Sequence, residues 1–193
     1  MLWDDFINSE WRDWRGSGRT EDRLDRPDWL ERLLAEHGFD PARPPTEGDI
    51  AELKRLRAVL LGIVRRLAAG EVPDAADLGR LNAVMAGGPV VRSVGAADDG
   101  RYELRLSPAA RDWPQLAAEI AASLVRTMAE GEPSRFRICD NPDCRWVYYD
   151  DTRNRSKKYC DDKMCGNLMK VRRFRARKKA GSGAPPPTQP EAE

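Results

Sequence analysis

Residues 135–179, RFRICDNPDCRWVYYDDTRNRSKKYCDDKMCGNLMKVRRFRARKK, contain every cysteine of the chain and 15 of its 33 lysines and arginines. Four thiolates in two matched pairs are a typical tetrahedral ligand set for structural zinc. Another metal, an iron–sulfur cluster and a redox or disulfide role are the alternatives, although no ferredoxin spacing is present. The stretch therefore predicts a Zn²⁺ site, and its ligands form two C-x4-C pairs separated by 15 residues: Cys139, Cys144, Cys160 and Cys165.

The residues after the last cysteine predict a strongly basic helix. Gly166-Asn167 opens it, and seven of the ten residues 170–179 are Lys or Arg. Each such side chain can neutralise one phosphate of a nucleic acid and release a counterion. The candidate nucleic-acid-binding residues lie here and in the loop between the cysteine pairs: Arg153, Arg155, Lys157, Lys158, Lys170, Arg172, Arg173, Arg175, Arg177 and Lys178.

The charge of the chain is divided unequally. Residues 135–179 carry a net charge of +9, whereas residues 1–134 carry −6, within an overall +1. A basic segment on an acidic body predicts a polyanionic partner, with DNA as the first candidate. The alternative is intramolecular, because the basic end can also dock on the acidic part of the same chain.

Three aromatic residues, Trp146, Tyr148 and Tyr149, occupy a predicted strand after the first cysteine pair. Aromatic rings in such a module can stack on unpaired bases. Their alternation along a strand braced by zinc favours packing in the core for at least one face of the strand. Core packing is likewise favoured over a ligand pocket for the tryptophans of the N-terminal part: Trp3, Trp11, Trp14, Trp29 and Trp113.

Residues 1–132 are predicted to form a mostly helical domain with one small β-hairpin. Thr46 and Asp49 fit a capping box, and leucines follow them in steps of three and four. Asp99-Gly100 suits the turn between two strands. The fold class is therefore mainly α with a small hairpin, α+β, with strands in 89–106 and helices over 1–16, 27–37, 47–69, 74–86 and 112–130. The Pro-rich tail 180–193 is predicted to be disordered.

Composition argues against a membrane protein and against an enzyme. Mean hydropathy is −0.68, 34% of residues are charged, and no apolar run approaches the ~20 residues of a membrane span. The N-terminus has no apolar signal segment, so we expect the cytoplasm, where thiols stay reduced. The single histidine, His37, precedes a helix-ending glycine, and no catalytic triad or glycine-rich phosphate loop is present.

The segments around the cysteines resemble the CGNR zinc-finger family. The resemblance is carried by Arg137-x-Cys139, Asp140 to Cys144, Trp146 to Tyr149, Asp151 to Arg155, Tyr159-Cys160 and Cys165-Gly166-Asn167. Phe6 to Ser9, Leu24, Trp29-Leu30 and His37-Gly38 add a weaker likeness to the opening of ABATE, the N-terminal domain of those bacterial proteins. The resemblance implies a treble-clef-like zinc module, DNA binding and a role as a stress-induced transcription regulator.

One position departs from the family signature, because Leu168 stands where the signature has arginine. Either a phosphate or base contact is lost there, or Leu168 packs while Lys170 and Arg172 make the contact.

The sequence thus predicts a cytoplasmic, zinc-binding transcription regulator that binds DNA. Residues 1–132 would form a helical sensor or dimerisation domain, residues 133–179 the zinc module and residues 180–193 a tail. A small-molecule ligand and a second copy of the chain are candidate partners of the first domain. The alternative is a zinc-braced module that binds protein or RNA without reading DNA. The DNA sequence, the signal and the direction of regulation do not follow from the residues.

Overall fold

The computed structural model describes residues 1–181 of the 193-residue chain. Residues 182–193, which form most of the predicted tail, lie outside the described residues. The fold is mainly helical with small antiparallel strand pairs, as predicted. Six helices are described: α1 (Leu2–Ile7), α2 (Pro27–Glu36), α3 (Glu47–Ala68), α4 (Ala75–Ala86), α5 (Trp113–Glu130) and α6 (Asn167–Gly181). Three two-stranded antiparallel sheets are described: β1–β2 (Glu10–Arg12, Thr20–Asp22), β3–β4 (Val90–Ala96, Tyr102–Pro108) and β5–β6 (Phe136–Ile138, Val147–Tyr149).

Helix α3 lies at the centre of the fold and contacts α1, α4, α5 and β5. Its start is the predicted capping box: the Asp49 amide donates to the Thr46 hydroxyl, and the Thr46 amide donates to the Asp49 carboxylate. One side of α3 is buried in the core through Leu53, Leu56, Leu60, Ile63, Val64 and Leu67. The leucine spacing therefore predicted this helix and its buried side correctly.

The other predicted helices of the middle of the chain are confirmed with small shifts at their ends. Asp74 and Asp112 cap α4 and α5 by accepting hydrogen bonds from amides three residues later. The spacing of apolar residues in α4 predicts that both Leu78 and Leu81 face inward, but Leu78 is exposed and only Leu81 is buried. The predicted hairpin also forms, with Gly100 at a φ of 81° in its turn.

The first sixteen residues do not form the single helix that the sequence predicts. Helix α1 ends at Ile7, and the chain then enters β1, whose Trp11 pairs with Glu21 of β2. The turn between the strands contains Gly16 and Gly18 at φ of 93° and 77°, which glycine adopts easily. The fold therefore contains one hairpin more in this part than predicted, and Trp11 and Trp14 are not helical.

The cysteine-containing segment shares the hydrophobic core of the helices. Phe136 of β5 and Val147 of β6 are fully buried together with Trp3 of α1. The rings of Trp3 and Phe136 lie 5.4 Å apart. Asn8 adds two hydrogen bonds of 2.9 Å, because its side-chain amide donates to the Val147 carbonyl and its oxygen accepts from the Val147 amide. The two parts of the chain are therefore packed as one body.

Within residues 1–181, no helix combines the length and the apolar character that crossing a bilayer requires.

Candidate metal centre and nucleic-acid interface

The β5–β6 hairpin and the start of α6 bring the two cysteine pairs together. Cys139 follows β5, and its amide donates to the Trp146 carbonyl at 2.8 Å. Cys144 lies in the turn before β6, where Arg145 adopts a φ of 59°. Cys165 lies in a tight π-helical turn over Asp162–Gly166, directly before α6. One ligand pair is thus held by a hairpin and the other by a helix start.

The four sulfur atoms have the spacing of a tetrahedral zinc site. All four Sγ atoms lie within 4.8 Å of one another. The Sγ of Cys160 lies 3.6 Å from that of Cys144 and 3.9 Å from that of Cys165. Zinc–sulfur bonds of about 2.3 Å in a tetrahedron place the sulfurs about 3.8 Å apart. The thiols are free rather than joined in disulfides, so the residues fit a zinc ion.

Without a cation the four thiols cannot all be ionised. The pKa of Cys139 is lowered because the thiols of Cys144 and Cys160 hydrogen-bond to its sulfur. The pKa of Cys160 is raised by its hydrogen bonds to the sulfurs of Cys139 and Cys144 and by burial. The arrangement therefore favours one thiolate among protonated neighbours. A divalent ion stabilises all four thiolates at once, which is the chemistry that zinc supplies here.

Asn141 supports this site from the turn between the first two cysteines. Its side chain is fully buried, and its Nδ2 donates to the Cys165 Sγ at 3.4 Å. The same Nδ2 donates to the Trp14 carbonyl at 2.9 Å, in the β1–β2 turn. The sequence pattern does not single out Asn141 as a residue of the metal site. Its contact with Trp14 joins residues 127 positions apart, which no local pattern can indicate.

Asn141→Ala should weaken zinc binding by roughly 10–100-fold, because groups that hold metal ligands in place contribute that much. Asn154→Ala is the matched control, since Asn154 is exposed in the loop between the cysteine pairs. Zinc affinity measured by competition with a chromophoric chelator checks this prediction. Equal affinities of the two variants would contradict it.

The loop that carries Arg153 and Arg155 is anchored by buried Asp150. Its carboxylate accepts hydrogen bonds from the Thr152 hydroxyl at 2.5 Å and from the Lys157 amide at 3.0 Å. Burial favours the protonated acid, but the hydrogen bonds from Thr152 and Lys157 outweigh it and lower the pKa of Asp150. The loop is therefore held as a defined turn over the zinc hairpin.

The aromatic residues of the β6 segment pack mainly inside the protein, as their alternation along the strand predicts. Tyr148 is buried, and its hydroxyl donates to the Lys157 carbonyl at 2.8 Å. Tyr149 packs edge-on against Phe136, and its hydroxyl accepts from the Glu132 amide at 2.8 Å. Trp146 is half-buried. These contacts leave little ring surface of the two tyrosines for stacking on bases.

The loop candidates for nucleic-acid contact are engaged to different degrees. Arg155 forms an ion pair of 2.7 Å with Glu132. The Lys157 ammonium lies 5.1 Å above the ring of Tyr148. Arg153 and Lys158 are exposed. Arg155 and Lys157 therefore have intramolecular partners in addition to the contacts predicted for them.

On α6, Arg172 differs from the other candidates. Its Nη1 lies 2.6 Å from the Asp143 carboxylate, and its Nη2 donates to the Arg15 carbonyl at 2.8 Å. It therefore fastens α6 to the zinc turn and to the β1–β2 turn. The remaining predicted basic residues of the helix are exposed: Lys170, Arg173, Arg175, Arg177 and Lys178. The charge pattern alone did not separate these two roles.

Leu168, at the departure from the signature, is partly buried at the start of α6. Val171 and Phe174, which follow Leu168 at steps of three and so form an apolar stripe with it, are exposed. The apolar stripe of α6 is therefore covered only at its first position.

Two family models match the chain, in consecutive order. The ABATE model, described as "Putative stress-induced transcription regulator", matches residues 2–131. The CGNR zinc-finger model matches residues 135–178, which include all four cysteines. A comparison with curated proteins gives no match. The zinc-finger match and the clustered sulfurs together identify zinc as the metal of this site.

Proposed function

Because this chain belongs to the ABATE family and carries a CGNR zinc finger, we propose that it is a transcription regulator that binds DNA through the basic helix α6. The DNA-binding unit comprises residues 133–179, and residues 1–132 form the regulatory unit that holds it. The protein acts in the cytoplasm. The alternative is a zinc-braced module that binds protein or RNA.

The observation that supports DNA binding most directly is the attachment of α6 to the metal site. The helix begins two residues after the ligand Cys165, so zinc sets the position of its first turn. It carries seven lysines and arginines and no acidic residue. Since Arg172 holds the helix to the body, the exposed cations around it are presented on a fixed support.

These cations suit a phosphate backbone. Each exposed Lys or Arg can neutralise one phosphate, and binding then weakens steeply with salt. Arginine can also contact guanine O6 and N7 with two hydrogen bonds in the major groove. The positions that we assign to nucleic-acid contact are the loop residues Arg153, Arg155, Lys157 and Lys158 and the exposed cations of α6.

Arg177→Ala should weaken duplex binding about 3–10-fold at low salt and reduce the slope of log K against log salt by about one unit. Arg55→Ala is the control, because Arg55 is an exposed arginine of α3 that pairs with Glu52. Fluorescence anisotropy of the full-length zinc protein with labelled duplexes at several salt concentrations measures both quantities. Tighter, salt-sensitive binding to RNA or to an acidic protein would favour the alternative, and no binding to any duplex would overturn the proposal.

A cavity in the regulatory unit supports a small-molecule ligand as the signal. It has a volume of about 890 Å³ and lies between α2, the Pro-rich segment 40–45 and α3. Its walls are mainly apolar and include Leu30, Leu34 and Trp113. A volume of this size falls within the range of known ligand sites.

We also propose that the protein is not an enzyme. The Nε2 of His37 lies 3.0 Å from the Asp5 carboxylate on the surface of the helical domain. The four thiols face one another as metal ligands. Each of these groups thus has a partner that suits a structural role.

A further inference from the structure

The β3–β4 hairpin is a two-stranded sheet that no other described part of the chain covers. Every residue of β4 is exposed, and six of the seven residues of β3 are exposed. Two strands alone are marginally stable in water, and a further strand or a packed layer normally supports them. Among residues 1–181, no segment supplies the partner that such a sheet requires.

The register gives the hairpin one apolar face. Directly paired residues point to the same side of a sheet, and successive residues alternate between sides. Val94 pairs with Leu104, and Ala96 pairs with Tyr102. These residues share one side of the sheet, which we call the apolar hairpin face: Val90, Arg92, Val94, Ala96, Tyr102, Leu104, Leu106 and Pro108. Arg92 is its single charged residue, and a long arginine stem can pack while its guanidinium stays in water.

The opposite face is mainly polar, with Val91 as its one large apolar side chain. The Arg105 side chain crosses over Gly95, where an added Cβ would lie 2.3 Å from the guanidinium Nε. Its Nη2 donates to the Ala96 carbonyl at 3.2 Å, and its Nε donates to Glu103 at 2.6 Å. The Arg105 side chain is thus held within the hairpin, whereas no described residue covers the apolar hairpin face.

The size of the apolar hairpin face matches half of a protein interface. Val94, Tyr102, Leu104 and Leu106 are 75%, 85%, 70% and 57% exposed. With Val90 they leave on the order of 600 Å² of apolar surface, which is at the upper limit for a monomer. Two such faces together bury roughly 1,200 Å², the lower end of stable specific interfaces.

We propose that the apolar hairpin face is a dimer interface whose occupant is the same face of a second copy of this chain. An apolar face that is complementary to itself suits a two-fold arrangement, in which each copy uses the same patch. Two stacked two-stranded sheets then form a four-stranded sandwich about 10 Å thick. Arg92 is the one charged residue of this face, so the face has few polar groups that would select a partner of different chemistry.

In combination with the proposed function, the dimer would present two α6 helices to two half-sites of duplex DNA. That extension depends on DNA binding, whereas the dimer itself does not. The self-association test therefore contains no DNA, and failure of one proposal can be told from failure of the other.

Val94→Glu and Ser93→Glu form a matched pair, because the two neighbours point to opposite faces of the hairpin. Sedimentation equilibrium of the zinc-loaded full-length protein should show a dimer for the wild type. Val94→Glu should raise the dimer dissociation constant about 100-fold or more, because it places a charge in an apolar interface. Ser93→Glu should change it less than about threefold, since its carboxylate lies opposite Arg105 at the surface.

Leu104→Glu, in the partner strand, should weaken the dimer as Val94→Glu does. Zinc content and far-UV circular dichroism that match the wild type will show that each variant is folded. A wild-type protein that stays monomeric at ~100 µM overturns the proposal, because a specific interface of this size is expected to form at that concentration. Equal effects of Val94→Glu and Ser93→Glu also overturn it. A single half-site duplex bound equally by the wild type and Val94→Glu would show that DNA contact is independent of the dimer.

Discussion

Replacing Cys144 with serine is expected to abolish zinc binding and to destabilise the whole protein, not only the cysteine segment. Structural zinc contributes about 10–16 kcal/mol to the folding of zinc-finger peptides. The net stability of a typical domain is only about 5–15 kcal/mol. Since β5 and β6 share the core with α1 and α3, unfolding of the zinc hairpin removes part of the packing of the helical domain as well.

The metal content of purified Cys144→Ser, measured by inductively coupled plasma mass spectrometry, should be close to zero. Its thermal transition should broaden or fall by more than about 15 °C, which corresponds to a loss of several kcal/mol. Met164→Ser is the control, because Met164 lies between the second pair of ligands but is exposed. That variant should keep one zinc per chain. A Cys144→Ser protein with an unchanged transition would show that the helical domain folds independently of the metal.

Phe136→Ala is expected to have the second largest effect. Phe136 is fully buried between Trp3 of α1 and Tyr149 of β6. Truncating a buried phenylalanine costs about 3–5 kcal/mol through lost burial and the cavity left behind. In a chain of this size that loss lowers the midpoint of thermal unfolding by roughly 10 °C. One transition should remain, because the ring belongs to a core that both parts of the chain build.

Phe174→Ala provides the comparison within the same zinc segment. Phe174 is 62% exposed on α6, whereas Phe136 is 0% exposed. The same chemical change should therefore cost less than about 1 kcal/mol at position 174. Differential scanning calorimetry of the zinc-loaded proteins measures both effects. Two separate transitions in Phe136→Ala, with only the smaller one shifted, would contradict a shared core.

The strongest local patterns predicted the parts of this fold that depend on local chemistry. The capping box at Thr46 and Asp49, the leucine spacing of α3 and the turn at Asp99-Gly100 each involve residues within a few positions. The C-x4-C pairs predicted the zinc site because the chain has only these four cysteines and one histidine, so few other sets of zinc ligands are possible. The predicted treble-clef topology and nucleic-acid contacts remain predictions.

Features that depend on distant partners could not be predicted in this way. Trp11 and Trp14 have helical spacing with Trp3 and Ile7, but β1 is paired with the charged segment Thr20–Asp22, whose sequence has weak strand character. The role of Arg172 as a clamp depends on the Arg15 carbonyl, 157 positions away. In the first case tertiary contacts outweigh a pattern that indicates a helix, and in the second they outweigh a pattern that indicates contact with nucleic acid.

The hydrogen bond from Arg172 to the Arg15 carbonyl makes the β1–β2 turn a contact between residues 1–132 and the zinc module. That turn supplies the Trp14 carbonyl to Asn141, behind the zinc ligand Cys165, and the Arg15 carbonyl to α6. A molecule that moved this turn on binding to residues 1–132 would therefore act on the support of the metal site, through Asn141, and on the attachment of α6, through Arg172. Thermodynamic reciprocity then requires that zinc change the affinity for that molecule by the factor by which the molecule changes the affinity for zinc.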